Sequence, residues 1–219
     1  MCPLNNNMNL LKLYLDEHVA IARDFPIDAV AQLAEAVIRC YEHDGAVYTF
    51  ANGGPAGLAE GFATDLKIHP FVGEDKNKTT EYRRLKMHCL NESSSVLTGL
   101  SNDLGYEYVF VEQLKNHLRS VDVNRHDVVI GFSASGNSGN VLRAFEYAKK
   151  FGVTTVCISG RGGGKAKSVA DISIVIPGNS RFPGQTGGND NNFHIEDFQS
   201  VVTHMVTGLL KKRVMEIYG

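Results

Sequence analysis

The chain has 219 residues, 43% of them hydrophobic and 21% charged, with a formal net charge of −2. That length suits one compact domain, and that charge provides no general pull toward nucleic acid. No apolar run reaches the roughly 18 residues that a helical membrane span needs.

The opening stretch "MCPLNNNMNLLKLYLDEH" lacks the basic start and apolar centre of a secretory signal. The four cysteines, Cys2, Cys40, Cys89 and Cys157, form no CxxC pair. Reduced thiols in a cytoplasmic protein are therefore expected. Residues 8–24 and 27–43 read as two helices, because Leu10, Leu11, Leu13, Tyr14 and Val19, then Ile27, Val30, Leu33, Ala34, Val37 and Ile38, recur at helical spacing. Their apolar surface exceeds what the edge of a small domain needs, so a partner subunit is expected to cover part of it. "AVYTFANGG" reads as a short strand ending in a glycine turn. "PAGLAEGFATDLKI" follows as a helix, with Pro55 near its first turn. Residues 70–84 read as an exposed polar loop, "RLKMHCL" as a weak strand, and "SSSVLTGLSNDLG" and "YEYVFVEQLKNHL" as short helices.

Beyond residue 126 the pattern sharpens. "DVVIGFS", "VTTVCISG" and "DISIVIP" are Val- and Ile-rich strands separated by the helices "GNVLRAFEYAKKFG" and "GKAKSVA". That alternation predicts a parallel sheet covered on both faces. "GNSRFPGQTGGNDNN" is a long polar loop; residues 178–193 read either as a lid over a ligand or as a surface insertion. A last helix is expected from about Ile195 to about Ile217.

The stretch "GFSASGNSGN" lies at the carboxyl end of the first of those strands, where open parallel sheets bind ligands. Ser133, Ser135 and Ser138 offer hydroxyls, and Gly136 and Gly139 permit turns that aim N–H groups inward. The following helix brings the positive end of its dipole to the same place. An ordinary helix cap needs one hydroxyl; three serines within six residues exceed that need. The stretch reads as a cradle for a phosphate monoester. No GxxxxGK[ST] and no GxGxxG after the first strand is present, so no nucleotide cofactor is expected.

"SASGNSGNVLRAFEYAKKFGVTTVCISGRGGGKAKSVADISIVIPG" resembles the sugar isomerase (SIS) domain. "ANGGPAGLAEGFATDL", "GLSNDLGYEYVF" and "IEDFQSVVTHMVTGLL" resemble three segments of its phosphoheptose isomerase branch. The likeness spans roughly residues 10–215. It implies a three-layer α/β/α sandwich around a five-stranded parallel sheet, flavodoxin-like, with N-terminal helices that build a homotetramer. On that reading residues 1–45 form an oligomerising helical arm and residues 46–219 the SIS domain, together one domain. The implied activity is aldose–ketose isomerisation of a sugar phosphate, sedoheptulose 7-phosphate to a heptose 7-phosphate.

The resemblance places the base at Asp65 and the acid at His204. It places phosphate contacts at Ser133, Ser135 and Ser138, and sugar contacts at Asn52, Gly53, Gly54 and Asp103. Glu196 would position substrate or metal. The family's usual serine after the glycines is Pro55 here. Many members hold zinc through four side chains, which fall here on Gly61, Asp65, Glu196 and His204. Gly61 offers no ligand, and Asp65 is shorter than the usual Glu by about 1.5 Å. A misplacement of that size can cost about 10²-fold in rate. Asp65, Glu196 and His204 remain as zinc candidates. Glu196 and His204 are eight residues apart, about 12 Å along one helix. They meet only if Glu196 precedes the helix or if neighbouring subunits contribute. His69 and His194 stand as substitutes for the lost histidine, or as surface and capping groups. Arg161 and Lys165 face the same rim as the cradle. The rival reading is a non-catalytic SIS protein that binds sugar phosphate or a protein partner, similar to the replication-initiator-associating members. It is favoured by the lost histidine and opposed by His204 and the intact cradle.

Overall fold

A computed structural model describes residues 3–73, 75, 78–120, 126–185 and 191–219. Cys2 and the middle of the 178–193 loop, residues 186–190, lie outside the described residues. The two N-terminal helices are α1 (Pro3–Arg23) and α2 (Ile27–Glu42). Next come β1 (Ala46–Ala51), α3 (Gly54–Ile68), β2 (Lys86–Cys89), α4 (Ser94–Asp103) and α5 (Val109–Lys115). The second half holds β3 (Val128–Ser133), α6 (Gly139–Lys149), β4 (Thr154–Ser159), α7 (Ala166–Val169), β5 (Ile172–Val175) and α8 (Asn192–Tyr218).

The five strands form one parallel sheet in the order β2-β1-β3-β4-β5. Alternate residues of β3 face opposite sides, as a pleated strand requires. Val128, Ile130 and Phe132 pack with α2, α3 and α8, while Val129 packs with α5 and α6. Both faces are apolar because both are covered, which is why β1 and β3 read as unbroken hydrophobic runs. Val30, Leu33 and Val37 of α2 are fully buried in the first layer, so α2 belongs to the core. By contrast, Leu11, Leu15 and Val19 on α1 stay more than half exposed along one stripe. Among the described residues no helix is long and apolar enough to cross a membrane.

This strand order places the topological switch between β1 and β3, whose outward helices leave on opposite faces of the sheet. A ligand crevice opens there, beyond the carboxyl ends of the strands. The turn after β1 brings Asn52 and Pro55 to it, with Gly53 and Gly54 between them outside the lining, and β3 delivers Ser133 and the following loop.

Candidate active site

A cavity of about 270 Å³ occupies that crevice, lined by Asn52, Pro55, Ser133, Ser135, Ser138, Arg161, Asn192 and Glu196, among others. It falls just below the roughly 300–1,000 Å³ of small-molecule sites. Ser133 is buried, and its hydroxyl lies 3.0 Å from that of Ser138. Ser138 occupies the N-cap of α6 without using its side chain as a cap. Its hydroxyl therefore stays available to an anion at the N-terminal end of α6, where the Val141 N–H is instead taken by Asn140 Oδ1 at 2.9 Å. Ser135 Oγ accepts the Asn137 N–H at 3.2 Å, which fixes the loop while leaving its own proton to donate.

Gly136 holds this loop in place. Its φ is +65°, and an added Cβ would come within 1.9 Å of the Gly163 carbonyl oxygen. Asn137 Oδ1 accepts the Lys165 N–H at 3.0 Å and ties the loop to the β4–α7 connection. The backbone, rather than a lysine, builds the cradle.

Across the crevice, the side chains of Asn52 and Asn140 exchange hydrogen bonds of 2.9 and 2.8 Å. The Tyr106 hydroxyl donates to Asn52 Oδ1 at 2.8 Å. Arg161, on the rim, donates to Asn192 Oδ1 at 2.6 Å. The Glu196 carboxylate lies over the start of α3, where a Cβ on Gly54 would meet Glu196 Oε2 at 2.7 Å. A side chain at residue 54 would thus displace the carboxylate. Burial, aided by the charge of Asp197, pushes the Glu196 carboxyl above its usual range.

Asp65 and His204 form a separate pair outside the lining of this cavity. Asp65 Oδ2 lies 3.8 Å from His204 Nε2, and Asp65 Oδ1 lies 3.4 Å from His69 Nε2. Asp65 is eleven residues past Gly54 on α3, about 16 Å down that helix. Glu196 and His204 both lie inside α8, which sets them about 12 Å apart along its axis. The helix proper thus begins before Glu196, and the two do not share an ion within one chain. A Cβ at Gly61 would meet open space. The implied zinc set of Asp65, Glu196 and His204 is therefore not gathered by a single chain. Among the described residues the group that could gather around a metal is His18, His194 and Asp197.

His204 also lines an apolar groove of about 450 Å³ with Ile27, Val30, Met205 and Leu209. Asp103, at the end of α4, accepts from the neighbouring Asn102 amide at 2.9 Å and is absent from the cavity lining. Sequence reasoning missed Asn140, Tyr106 and Asn192. Asn140 lay inside the quoted cradle; the other two carry no local signal.

The family model described as SIS domain matches residues 14–160. A phosphoheptose isomerase of Helicobacter pylori (strain HPAG1) is 38% identical over 175 residues, covering 80% of this chain and 79% of that one. That of Campylobacter jejuni subsp. jejuni is 29% identical over 205 residues, covering 93% and 97%. Among solved structures, a phosphoheptose isomerase from Francisella tularensis superposes with a TM-score of 0.74 at 21% identity, covering 97% of this chain and 100% of that one. One from Neisseria gonorrhoeae does so at 0.74 and 22%, covering 94% and 98%. These superpositions bear on the fold.

Proposed function

The chain belongs to the phosphoheptose isomerase branch of the SIS domain family, and from that premise we propose that it is an aldose–ketose isomerase converting sedoheptulose 7-phosphate to D-glycero-heptose 7-phosphate. The cradle of Ser133, Ser135, Ser138 and the α6 N-terminus carries the reading. Fixed donors in a crevice favour a dianion and orient the sugar chain behind it. Asn52, Gly53, Gly54 and Glu196 border the path of that chain, and Arg161 stands at its mouth.

The reaction needs no external oxidant. A base removes the proton from the hydroxyl-bearing carbon beside the carbonyl, and an acid delivers a proton to the carbonyl oxygen, giving an enediol. Loss of the other hydroxyl's proton, with protonation of the former carbonyl carbon, completes the aldose. Asp65 serves as base and His204 as acid. Asp65 lies about 16 Å along α3 from Gly54, which supports their acting on substrate held by a neighbouring subunit. His204 borders an apolar groove, and exposed Leu11, Leu15, Val19, Ile27, Met205 and Leu209 suit burial between copies, with a homotetramer as the assembly. The separation of Glu196 from His204 disfavours one zinc ion within a chain, so no step is routed through a metal. Cys40, Cys89 and Cys157 are buried and form no disulfide among the described residues, in keeping with a cytoplasmic location.

The test is subunit complementation. A Ser133→Ala/Ser135→Ala/Ser138→Ala chain and an Asp65→Asn chain are each expected to lack turnover of sedoheptulose 7-phosphate. Co-expressed, they are expected to recover activity that neither has alone. A cradle variant that turns over normally would remove the reading. Co-purified mixed oligomers without activity would place Asp65 and the cradle in the same chain's site.

A further inference from the structure

Apart from the cradle, α1 meets the start of α8 through four linked side chains. Glu17 Oε2 lies 2.9 Å from His194 Nε2, and His194 Nδ1 lies 2.9 Å from His18 Nδ1. His18 Nε2 lies 3.1 Å from Asp197 Oδ2. The outer members are held in turn. Glu17 accepts from the Ser180 hydroxyl at 2.7 Å and the Arg181 N–H at 2.8 Å. Tyr14 donates to Asp197 at 2.5 Å and stacks on the His194 ring at 4.3 Å. His194 is fully buried.

A carboxylate accepts hydrogen bonds and donates none. Glu17 therefore takes the Nε2–H of His194, and Asp197 takes the Nε2–H of His18. A neutral imidazole carries one N–H, so both ring protons are then used. The two Nδ1 atoms face each other at 2.9 Å, and His18 Nδ1 also lies 3.2 Å from the Tyr14 carbonyl oxygen, which only accepts, so a positive centre, a proton or a metal ion, belongs between these groups and the two carboxylates. Four polar contacts of the ring nitrogens thus share the two protons of neutral rings, and one positive centre completes the cluster.

We propose that this cluster is a binding site for a divalent transition-metal ion of the zinc type. One ring nitrogen each of His18 and His194 and a carboxylate oxygen of Asp197 are its ligands, and such atoms lie within 4.8 Å of one another. Two imidazoles and one carboxylate suit that ion, with solvent completing the shell. Glu17 is the outer carboxylate that fixes the His194 ring and its tautomer. The ion joins α1 to α8. On the first turns of α8, His194 and Asp197 alternate with Asn192 and Glu196, which line the cradle cavity. Metal binding thus holds the helix turn that forms one wall of the cavity. The inference rests on the α1–α8 joint and stands whether or not the chain isomerises sedoheptulose 7-phosphate.

Titration of Zn²⁺ into the chelator-stripped full-length protein tests it by calorimetry. One equivalent per chain is expected, lost in His18→Gln and in Asp197→Asn. Glu17→Gln is expected to retain it with about 10–100-fold weaker affinity. His204→Ala is expected to leave it unchanged. Asp197 is half exposed, so Asp197→Asn decides the matter should His18→Gln fail to fold. Absence of stoichiometric binding to the wild type overturns the proposal. So does stoichiometric binding that survives Asp197→Asn or disappears in His204→Ala.

Discussion

Asn52 and Asn140 exchange two amide hydrogen bonds, of 2.9 and 2.8 Å, across the crevice between β1 and β3. Each amide offers one acceptor and two donors, and the pair clamps the end of β1 to the first turn of α6. The clamp sets the width of the crevice in which the serine loop lies. Asn140→Ala removes it and leaves the Asn52 amide without that partner. A loss of about 1–3 kcal/mol is expected, read as a fall in Tm of about 2–4 °C per kcal/mol for a chain of this length. The KM for sugar phosphate should rise in the same variant.

The cradle hydroxyls act on a charged group, where one hydrogen bond contributes about 1.5–3 kcal/mol. Ser133→Ala and Ser138→Ala are each expected to weaken inhibition by inorganic phosphate by about 10–100-fold. Neither should move the unfolding midpoint much, because neither hydroxyl caps a helix or bonds the backbone. Competition assays and thermal melts on the same preparations check both statements.

Gly136 combines a φ of +65° with a Cβ position 1.9 Å from a carbonyl oxygen. Gly136→Ala is expected to cost about 3 kcal/mol or more, since strain and overlap add. Urea unfolding should show the midpoint shift, and phosphate affinity should fall with it. Gly139, with open space at its Cβ position, serves as the control, and Gly139→Ala should be tolerated far better.

Asp171 accepts from the Thr155 hydroxyl at 2.7 Å and its N–H at 2.9 Å, and pairs with Lys149 at 2.9 Å. Burial pushes its carboxyl up, but the bonds from Thr155 and Lys149 outweigh that and hold it below the usual carboxylate range. The folded state thus binds this proton less readily than the unfolded state. Its contribution is complete above about pH 4 and disappears as the pH falls through the depressed folded value. Asp171→Asn should lower the unfolding midpoint at neutral pH, with the difference from wild type closing toward low pH.

The central sheet was legible because strands covered on both faces, such as Val128–Ser133, are dominated by buried Val, Ile and Phe. The cradle was legible for a local reason: its hydroxyls, glycines and helix start are contiguous between Ser133 and Asn140. The Asn52–Asn140 clamp joins residues 88 positions apart, and no spacing rule reaches that far. Tyr106 is likewise brought to Asn52 only by the placement of the chain around α4. The expected start of α8 near Ile195 falls three residues late. The side-chain oxygen of buried Gln185 accepts the Phe193 N–H at 2.6 Å, and so satisfies the helix start from outside its own sequence. The eight-residue spacing of Glu196 and His204 already contained their separation. His69, four residues after Asp65, was visible by helical spacing as a neighbour of that carboxylate. The α1–α8 cluster joins residues 177 and 176 positions apart, so only the folded chain assembles it.

The most direct measurement is solvent deuterium incorporation at the carbon beside the carbonyl of sedoheptulose 7-phosphate, followed by NMR in deuterated water. Wild type should exchange that hydrogen, Asp65→Asn should abolish the exchange, and the triple serine variant should need far more substrate to reach the same rate. Exchange in Asp65→Asn at the wild-type rate, or no exchange by the wild type while it binds the sugar phosphate saturably, would contradict the account.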